Sequence, residues 1–359
     1  MNITENVVVI KSRFKDYNVS FVDNFDNVRN LSKEKNTFFV IDVNVYNLYK
    51  EHFQDLPEDK LYLLDAVEDN KCIGTVLGIC EMMTNMPSKR NTHLVSIGGG
   101  ITQDITGFVA TSLYRGIKWT FYPTTLLAAC DSCIGGKSSL NYKGYKNLLG
   151  TFYPPDEIFV NPNVFKTLFK KDYYSGLGEV VKFNVIAGSD GVDKIEKDLD
   201  DILNYNYEKL NLYVKTSLQF KKKFIEEDEF DKGIRILLNF AHTFGHAYES
   251  ISDYAIPHGS AVAMGMITAN HISVLRGYIS SDYAERIELF CNKILTEINI
   301  KEEWFELNKI ISAIKKDKKQ TSNSIKAVLI NSNSNLEVFD NIEIAEIEKA
   351  VKHLLDIIK

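Results

Sequence analysis

Short apolar runs in the first half of the chain alternate with longer stretches of helical spacing. Five of these runs have the length of one strand, and they lie at residues 7–10, 37–42, 60–67, 93–100 and 119–123. Strand and helix repeating in this order are typical of βα units around a mainly parallel sheet.

Strand-like runs nearly vanish after about residue 163. Residues 194–226 and 260–300 predict helices, and residues 342–358 predict a terminal packing helix. Residues 326–330, KAVLI, predict a late strand or a buried segment. The sequence therefore predicts an α/β N-terminal domain with a mainly parallel sheet, followed by an all-helical domain, with the boundary near residue 165.

A glycine-rich turn follows the fourth apolar run. In SIGGGITQDITGF, Gly98, Gly99 and Gly100 come directly before a predicted helix. Backbone without side chains can approach a pyrophosphate, whose charge a helix N-terminus stabilises. The order is not the GxGxxG fingerprint, and three glycines can also form a simple tight turn. Asp42 and Asn44 end the second strand, where they are either ribose-binding or turn-capping residues.

Three histidines suggest a metal site in the helical half. His242 and His246 lie four apart on one face of a predicted helix, and His258 follows sixteen residues after His242. Two imidazoles and one carboxylate leave coordination positions open, as a catalytic divalent metal requires. We expect Glu179 to supply the carboxylate at the start of a helix, with Lys182 one turn later. The spacing leaves open whether His242, His246 or both bind metal, and two hydrogen-bonded core histidines are the alternative.

Two groups of polar residues are candidates for binding an anion. Residues 113–150 contain Arg115, Asp131, Lys137, Lys146 and Asn147, and a second group of Lys221, Arg235 and Asn239 precedes His242. Lys137 follows two glycines, a context that suits an amine meeting a phosphate or a nucleotide. The alternative is that these lysines are solvated, and that the run at 221–223 is a charged helix face.

Composition narrows the function classes without choosing among them. With 359 residues, 45% hydrophobic and 25% charged, the chain can fold as two packed domains. A net charge of −6 gives no electrostatic reason to expect nucleic acid or an anionic membrane as partner. The sequence shows no secretory signal, no apolar run of ~18 residues, and five scattered cysteines, so we expect a cytoplasmic protein without disulfides.

Six motifs together are specific for one family. They are GGGITQDITGF, YRGIKWTFYPTTLLAACDSCIGGKSSLN, YKNLLGTFYPP, GLGEVVKF, LLNFAHTFGHAYE and PHGSAVAMGM. With them the chain resembles the 3-dehydroquinate synthase family of sugar-phosphate cyclases, in register from about residue 40 to about residue 330. The resemblance implies a homodimer whose active site lies between an NAD-binding domain, residues 1–165, and a helical metal- and substrate-binding domain, residues 166–359. The metal is expected to be zinc or cobalt.

The resemblance also assigns roles residue by residue. The metal ligands it implies are Glu179, His242 and His258, which places His246 near the substrate phosphate. The cofactor-binding residues it implies, with two lysines from the anion-binding stretch, are Asp42, Asn44, Glu68, Lys71, Gly99, Gly100, Asp104, Thr124, Thr125, Leu127, Lys137, Lys146 and Thr167. The catalytic residues are Asp131, Lys137, Lys182, Lys221, Arg235, Asn239 and His246, and the substrate-binding residues are Arg115, Asn147 and Lys318. Arg115 would reach the neighbouring active site across the dimer interface.

The reaction implied is cyclization of 3-deoxy-D-arabino-heptulosonate 7-phosphate with elimination of phosphate, a step of the shikimate pathway. NAD+ would take a hydride and return it within one turnover. Gln103 and Ala241 replace glycines usual in the family, which is compatible with a divergent paralogue. The alternative is a cyclase acting on sedoheptulose 7-phosphate, glucose 6-phosphate or an amino analogue, but Arg235 with Lys221 favours a carboxylate substrate.

Two other classes fit the residues less well. A metal-dependent polyol dehydrogenase would share the two-domain plan and the glycine turn, but it has no need of a phosphate-binding set such as Lys137, Asn147, Asn239 and His246. A non-catalytic nucleotide-binding module has no need of three metal ligands.

Overall fold

The computed structural model describes residues 6–87, 89–316 and 324–358. The chain divides into two compact units, Met1–Leu168 with Val214–Phe230 and Phe169–Tyr213 with Asp231–Lys359. The segment Val214–Phe230, which carries Lys221, thus groups with the N-terminal residues. The functional boundary near residue 165 stays a prediction.

The first unit contains a seven-stranded sheet in the order β1-β2-β9-β6-β5-β3-β4. Its strands are β1 (Val7–Ile10), β2 (Tyr17–Phe21), β3 (Thr37–Asp42), β4 (Leu61–Leu64), β5 (His93–Gly98), β6 (Lys118–Pro123) and β9 (Glu157–Val160). All neighbours pair in parallel except β1, which is antiparallel to β2 at one edge. The mainly parallel sheet predicted from the sequence is confirmed. A separate antiparallel hairpin is formed by β7 (Lys137–Tyr142) and β8 (Tyr145–Phe152).

Helices connect the strands of the first unit. They are α1 (Asp26–Leu31), α2 (Val43–Leu48), α3 (Lys50–Phe53), α4 (Ile73–Thr84) and α5 (Gly100–Ser112), with a π-helix at Ala128–Ser132. Short 3₁₀ helices of the chain lie at Glu58–Lys60, Glu68–Asn70, Lys89–Asn91, Leu113–Arg115, Pro162–Thr167, Ile234–Asn239 and Glu302–Phe305.

The order of the central strands reverses beside the glycine turn, although the strands themselves stay parallel. The connection from β3 leads to β4 on one side, and the chain then crosses to β5 on the other side of β3. Ligands of open α/β sheets bind at the carboxyl ends of the strands where such a reversal occurs. The turn after β5 and the residues after β3 both lie at that point.

The second unit is helical apart from one hairpin. Its helices are α6 (Lys170–Ile186), α7 (Ser189–Leu203), the start of α8 (Tyr207–Glu227), α9 (His242–Ile251), α10 (His258–Leu275), α11 (Ser281–Leu295), α12 (Leu307–Lys316) and α13 (Ile344–Ile357). The hairpin pairs β10 (Ile325–Ile330) with β11 (Leu336–Ile342). Helix α10 is buried along nearly its whole length and packs against α6, α9, α11 and α13. The core of this unit is therefore built around α10.

The two long stretches predicted as helical are each interrupted. Helix α8 begins after Asn206, whose side-chain oxygen accepts a hydrogen bond from Lys209 N at 3.1 Å. Helix α11 begins after Ser280, whose hydroxyl accepts from Tyr283 N at 3.2 Å. Such side chains start a helix because they satisfy the amides that its first turn leaves unpaired. No helix among residues 6–87, 89–316 and 324–358 is long and apolar enough to cross a membrane.

Candidate active site

One edge of the parallel sheet collects most of the residues predicted to bind the cofactor. Register pairs Ile41 with Ile97 and Gly98 with Pro123, so that β3, β5 and β6 end side by side. The residues that follow the carboxyl ends of β3, β4, β5 and β6 include Asp42, Asn44, Glu68, Lys71, Gly99, Gly100, Thr124, Thr125 and Leu127.

The glycine turn brings β5, α5 and the end of β6 into close contact. Thr124 N donates to Gly98 O at 2.9 Å. A methyl group on Gly99 would lie 2.9 Å from Thr125 Cγ2, so a side chain here would displace Thr125. On Gly100, by contrast, a methyl group would meet nothing within 4 Å. Gly100, the first residue of the 13-residue helix α5, therefore borders open space, which is compatible with an anion-binding turn.

Residues from three separate motifs form one polar network beside α5. Lys71 makes an ion pair with Asp104 and donates to Asn147 Oδ1 at 2.7 Å. Ser139 N donates to Asp104 Oδ1 at 3.0 Å. Burial raises the pKa of Asp104, although the charge of Lys71 opposes the shift. Asn147, which the resemblance assigned to substrate, thus lies against a lysine assigned to the cofactor.

Glu68 and Lys146 extend this network to the β7–β8 hairpin. Asn141 Nδ2 donates to Glu68 Oε1 at 2.8 Å, and Lys146 Nζ lies 3.3 Å from the same oxygen. The hairpin therefore holds Lys146 and Asn147 close to the loop that follows β4.

Asp42 and Thr167 have local partners. Asp42 caps α2 by accepting from Asn44 N at 2.8 Å, and burial raises the pKa of the Asp42 carboxyl. Thr167 Oγ1 lies 3.0 Å from Tyr49 OH. Asp42 thus has the capping role considered as an alternative, while its place at the carboxyl edge stays compatible with ribose binding.

Asp131 and Lys221 form a second charged pair in the first unit. Lys221 Nζ lies 2.8 Å from Asp131 Oδ1 and donates to Asp131 O at 2.7 Å. Asp131 belongs to the π-helix Ala128–Ser132, a distortion that is frequent at functional sites. The structure therefore unites two residues that lie ninety positions apart in the sequence.

Three further predicted residues are Arg115, Lys137 and Lys318. Lys137 and Arg115 are exposed, and Arg115 lies in a turn where Tyr114, Arg115 and Gly116 all have positive φ, at 51°, 65° and 116°. Lys318 lies outside the described residues.

In the second unit, Glu179, His242 and His258 converge. One ligand atom from each lies within 4.8 Å of the others. His242 Nε2 and His258 Nε2 lie 3.2 and 3.3 Å from Glu179 Oε1. The expectation that Glu179 begins a helix was wrong, because α6 starts at Lys170 and Glu179 lies in its middle. The two preceding glycines are inside the helix.

A contact between two glycines allows this convergence. A methyl group on Gly178 would lie 2.0 Å from Gly259 O, and one on Gly259 would lie 1.7 Å from Ser175 O. Ser175 Oγ also accepts from Gly259 N at 3.0 Å. Each glycine is the chain neighbour of a candidate ligand, so the close approach of α6 and α10 brings Glu179 and His258 together.

The Nδ1 atoms of His242 and His258, which face away from Glu179, both have hydrogen-bond partners. His242 Nδ1 lies 2.9 Å from Phe240 O, and His258 Nδ1 lies 3.0 Å from Glu249 Oε2. Partners of this kind fix the tautomer and leave the lone pair of Nε2 for a metal. Glu249 was missed by the sequence reasoning, although it lies two helical turns after His242 and therefore on the same face of α9.

The buried negative charge of Glu179 suits the binding of a cation. Glu179 is fully buried, and neither of its oxygens accepts a hydrogen bond of regular geometry from the described residues. Burial raises the pKa of Glu179, but the charges of Lys182 and His242 outweigh it and hold the pKa well below its usual value. Burial lowers the pKa of His242 to about 4. For His258, burial acts in the same direction, but the charge of Glu249 prevails and raises the pKa to about 10, so without an ion this ring carries a proton that a metal would displace from Nε2.

Four further predicted residues lie near the cluster. Lys182 and His246 are close to it in space, and Arg235 and Asn239 precede His242 in the sequence. Lys182 Nζ is 2.5 Å from Glu179 Oε2. The His246 ring centroid is 5.3 Å from that of His242, and a second possible ligand group joins His246 with Glu249 and His258. Arg235 is buried, in the 3₁₀ helix just before α9, and Asn239 Nδ2 donates to Ile236 O at 3.0 Å.

Ala241 and Gln103, the two departures noted in the sequence, have different surroundings. Ala241 precedes α9 with φ of 70°, in the left-handed region that favours glycine. Gln103 is buried in the first turn of α5.

Known structures share this fold. ValA, a 2-epi-5-epi-valiolone synthase from Streptomyces hygroscopicus subsp. jinggangensis 5008 solved with NAD+ and Zn2+ bound, superposes with a TM-score of 0.85 at 22% identity, over 97% of this chain and 99% of that chain. A 2-deoxy-scyllo-inosose synthase complexed with carbaglucose-6-phosphate, NAD+ and Co2+ gives a TM-score of 0.84 at 23% identity and the same coverage. The chain therefore shares the fold of these two synthases.

Sequence comparison identifies the family of this chain. The family model for the 3-dehydroquinate synthase N-terminal domain matches residues 61–175, and the model for the C-terminal domain matches residues 176–320. The 3-dehydroquinate synthase of Dictyoglomus turgidum is 34% identical over 325 residues, covering 89% of each chain. The chain belongs to the 3-dehydroquinate synthase family.

Proposed function

We propose that this chain is a 3-dehydroquinate synthase, which cyclizes 3-deoxy-D-arabino-heptulosonate 7-phosphate and eliminates phosphate. The observation that carries the proposal is the convergence of Glu179, His242 and His258 within 4.8 Å, in a chain that matches both domain models of the family. A homologue 34% identical over most of its length bears that name.

NAD and one divalent metal are the proposed cofactors. Structural neighbours hold NAD+ together with Zn2+ or Co2+, and we assign zinc or cobalt to Glu179, His242 and His258. The open space at the start of α5 and the polar network around Lys71 and Asp104 support NAD binding at the carboxyl edge of the sheet. When bound, NAD+ supplies reversible hydride transfer and the metal stabilises negative charge developing on substrate oxygens.

The protein's own residues supply position and charge. Lys182, only 2% exposed, donates to Leu238 O at 3.3 Å and has its ammonium fixed beside Glu179. Asp131 and Lys221 form a fixed pair that can exchange hydrogen bonds with hydroxyl groups of the sugar. Arg235 keeps its charge although it is buried, and we assign it to the substrate carboxylate. His246 beside the cluster is assigned to the phosphate.

We further propose a homodimer in which the exposed Arg115 reaches the partner's active site. The strained turn around Arg115, with three successive positive φ values, supports a function for this residue, because such backbone is retained where position matters. The pathway we assign is the shikimate pathway, and the expected location is the cytoplasm.

The deciding experiment uses purified protein, NAD+ and each candidate sugar phosphate in turn. We expect phosphate release and a product with the mass of 3-dehydroquinate from 3-deoxy-D-arabino-heptulosonate 7-phosphate, and little product from sedoheptulose 7-phosphate or glucose 6-phosphate. Faster turnover of either of the other sugars would move the chain to another branch of the cyclases. NADH release in proportion to a simple polyol consumed would make it a dehydrogenase.

A further inference from the structure

Both polar atoms of the buried Gln103 amide form hydrogen bonds with one residue, Ser132. Its Nε2 donates to Ser132 O at 2.7 Å, and its Oε1 accepts from Ser132 Oγ at 2.7 Å. The side chain is 3% exposed, so water does not replace these bonds. The first turn of α5 is therefore tied to Ser132 by two hydrogen bonds.

Ser132 is the last residue of the π-helix and the neighbour of Asp131. Lys221 binds both the carbonyl and the carboxylate of Asp131, at 2.7 and 2.8 Å. A shift of the peptide at residues 131–132 would change both of these contacts at once. The hydrogen bonds that hold Ser132 in place therefore also restrict the direction of the Asp131 carboxylate.

The other end of the same segment lies against the start of α5. Thr125 lies beside Gly99, the residue before α5, because a methyl group on Gly99 would be 2.9 Å from Thr125 Cγ2. Thr125 Oγ1 also accepts from Ala128 N at 3.2 Å, so the start of the segment is held internally. Residues 125–132 thus lie against the start of α5 at both ends, and the hydrogen bonds to α5 described here are those of Ser132. Because π-helices are rare and occur mostly as single turns, we expect this one to depend on contacts of this kind.

We propose that Gln103 is a positioning residue for Asp131. Through Ser132 it holds the π-helix in the register in which Asp131 pairs with Lys221 and is directed at the sugar phosphate. The proposal rests on the assignment of Asp131 to substrate made above. Loss of two buried hydrogen bonds is expected to lower kcat/KM for the sugar phosphate roughly tenfold.

The test compares Gln103→Met, which keeps the volume and removes both bonds, with Ser132→Ala, which removes only the hydroxyl. We expect Gln103→Met to lower kcat/KM roughly tenfold, Ser132→Ala to lower it less, and NAD+ affinity measured by calorimetry to change less than about twofold. In an Asp131→Asn background, Gln103→Met should cost less than about twofold, because the residue through which it acts is already disabled. Equal costs in the two backgrounds, or an equal loss of NAD+ affinity, would overturn the proposal. If Gln103→Met does not fold, Ser132→Ala carries the same comparison.

A second measurement needs no substrate and so separates this proposal from the proposed function. Acetic anhydride labelling followed by mass spectrometry reports how well the Lys221 amine is protected. We expect faster labelling of Lys221 in Gln103→Met, and no change at Lys215, a lysine 6% exposed on the same helix that donates to Asn6 Oδ1. Unchanged labelling of Lys221 would show that Gln103 does not hold the pair, whichever sugar the enzyme uses. Faster labelling in a protein inactive on 3-deoxy-D-arabino-heptulosonate 7-phosphate would retain the positioning role and reject the substrate.

Discussion

The glycine contact between α6 and α10 allows a quantitative test of the metal site. In Gly178→Ala the new methyl carbon would lie 2.0 Å from Gly259 O. Ordinary contacts begin at 3.4 Å, so the two helices must separate by about 1.4 Å at this point. Metal–ligand bonds tolerate changes of only about 0.2 Å. Glu179 on one helix and His258 on the other can then no longer bind the same ion.

We expect Gly178→Ala to lower metal affinity by at least about a hundredfold, because losing a direct ligand costs more than the ~10–100-fold typical of a supporting residue. Overpacking should also lower the free energy of unfolding by about 1–3 kcal/mol. Metal content by mass spectrometry of the purified protein and competition with a chromogenic chelator measure the first effect. Thermal unfolding measures the second.

Gly78→Ala is the matched control. Gly78 lies inside α4, and its methyl group would meet only Tyr62 OH at 3.9 Å. This variant should bind metal normally and gain about 0.5–1 kcal/mol in stability, as alanine does in a helix interior. The reasoning is refuted if Gly178→Ala keeps one metal per chain, with affinity and melting temperature equal to those of the wild type.

Four further outcomes are expected. Glu249→Ala should weaken metal binding ~10–100-fold, because His258 loses the carboxylate that orients it, and unchanged affinity in chelator competition would contradict this role. NADH absorbance should stay flat while product forms, since the hydride is returned; accumulation equal to product would exclude the cyclase. Arg235→Ala should lower kcat/KM for the carboxylate substrate at least about tenfold. If steady-state kinetics give the variant the same kcat/KM as the wild type, Arg235 does not recognise the substrate carboxylate. Dialysis against a chelator should abolish turnover and added zinc or cobalt should restore it; activity that survives complete metal loss, checked by mass spectrometry, would refute the metal assignment.

The central strands were predictable because burial on both faces makes them continuous apolar runs. Every residue of β5 is buried, and five of six are buried in β3. Strand β1 was predicted although it buries only alternate residues, because all four of its residues are apolar. Strand β2, YNVSF, was missed because short polar-apolar alternation has weak strand character. A continuous apolar run, rather than burial itself, made these strands visible in the sequence.

The candidate site was predictable as a set of residue types and less so as an arrangement. Spacing alone left His246 open as a ligand, and the resemblance was needed to choose His242 and His258. The start of the Glu179 helix was misplaced because glycines usually weaken a helix interior, whereas here Gly178 is inside α6 at the contact with α10. The pairing of Gln103 with Ser132 has no local signal, since it joins residues 29 positions apart.

The unequal exposure of the three metal-binding side chains controls how the ion is exchanged. The Glu179 side chain is fully buried, that of His242 is 11% exposed, and that of His258 is 30% exposed. An ion therefore arrives and leaves on the side of the histidines, and Glu179 is the ligand that water or a chelator reaches last. We expect metal exchange to be controlled by movement of His258, the most exposed of the three side chains.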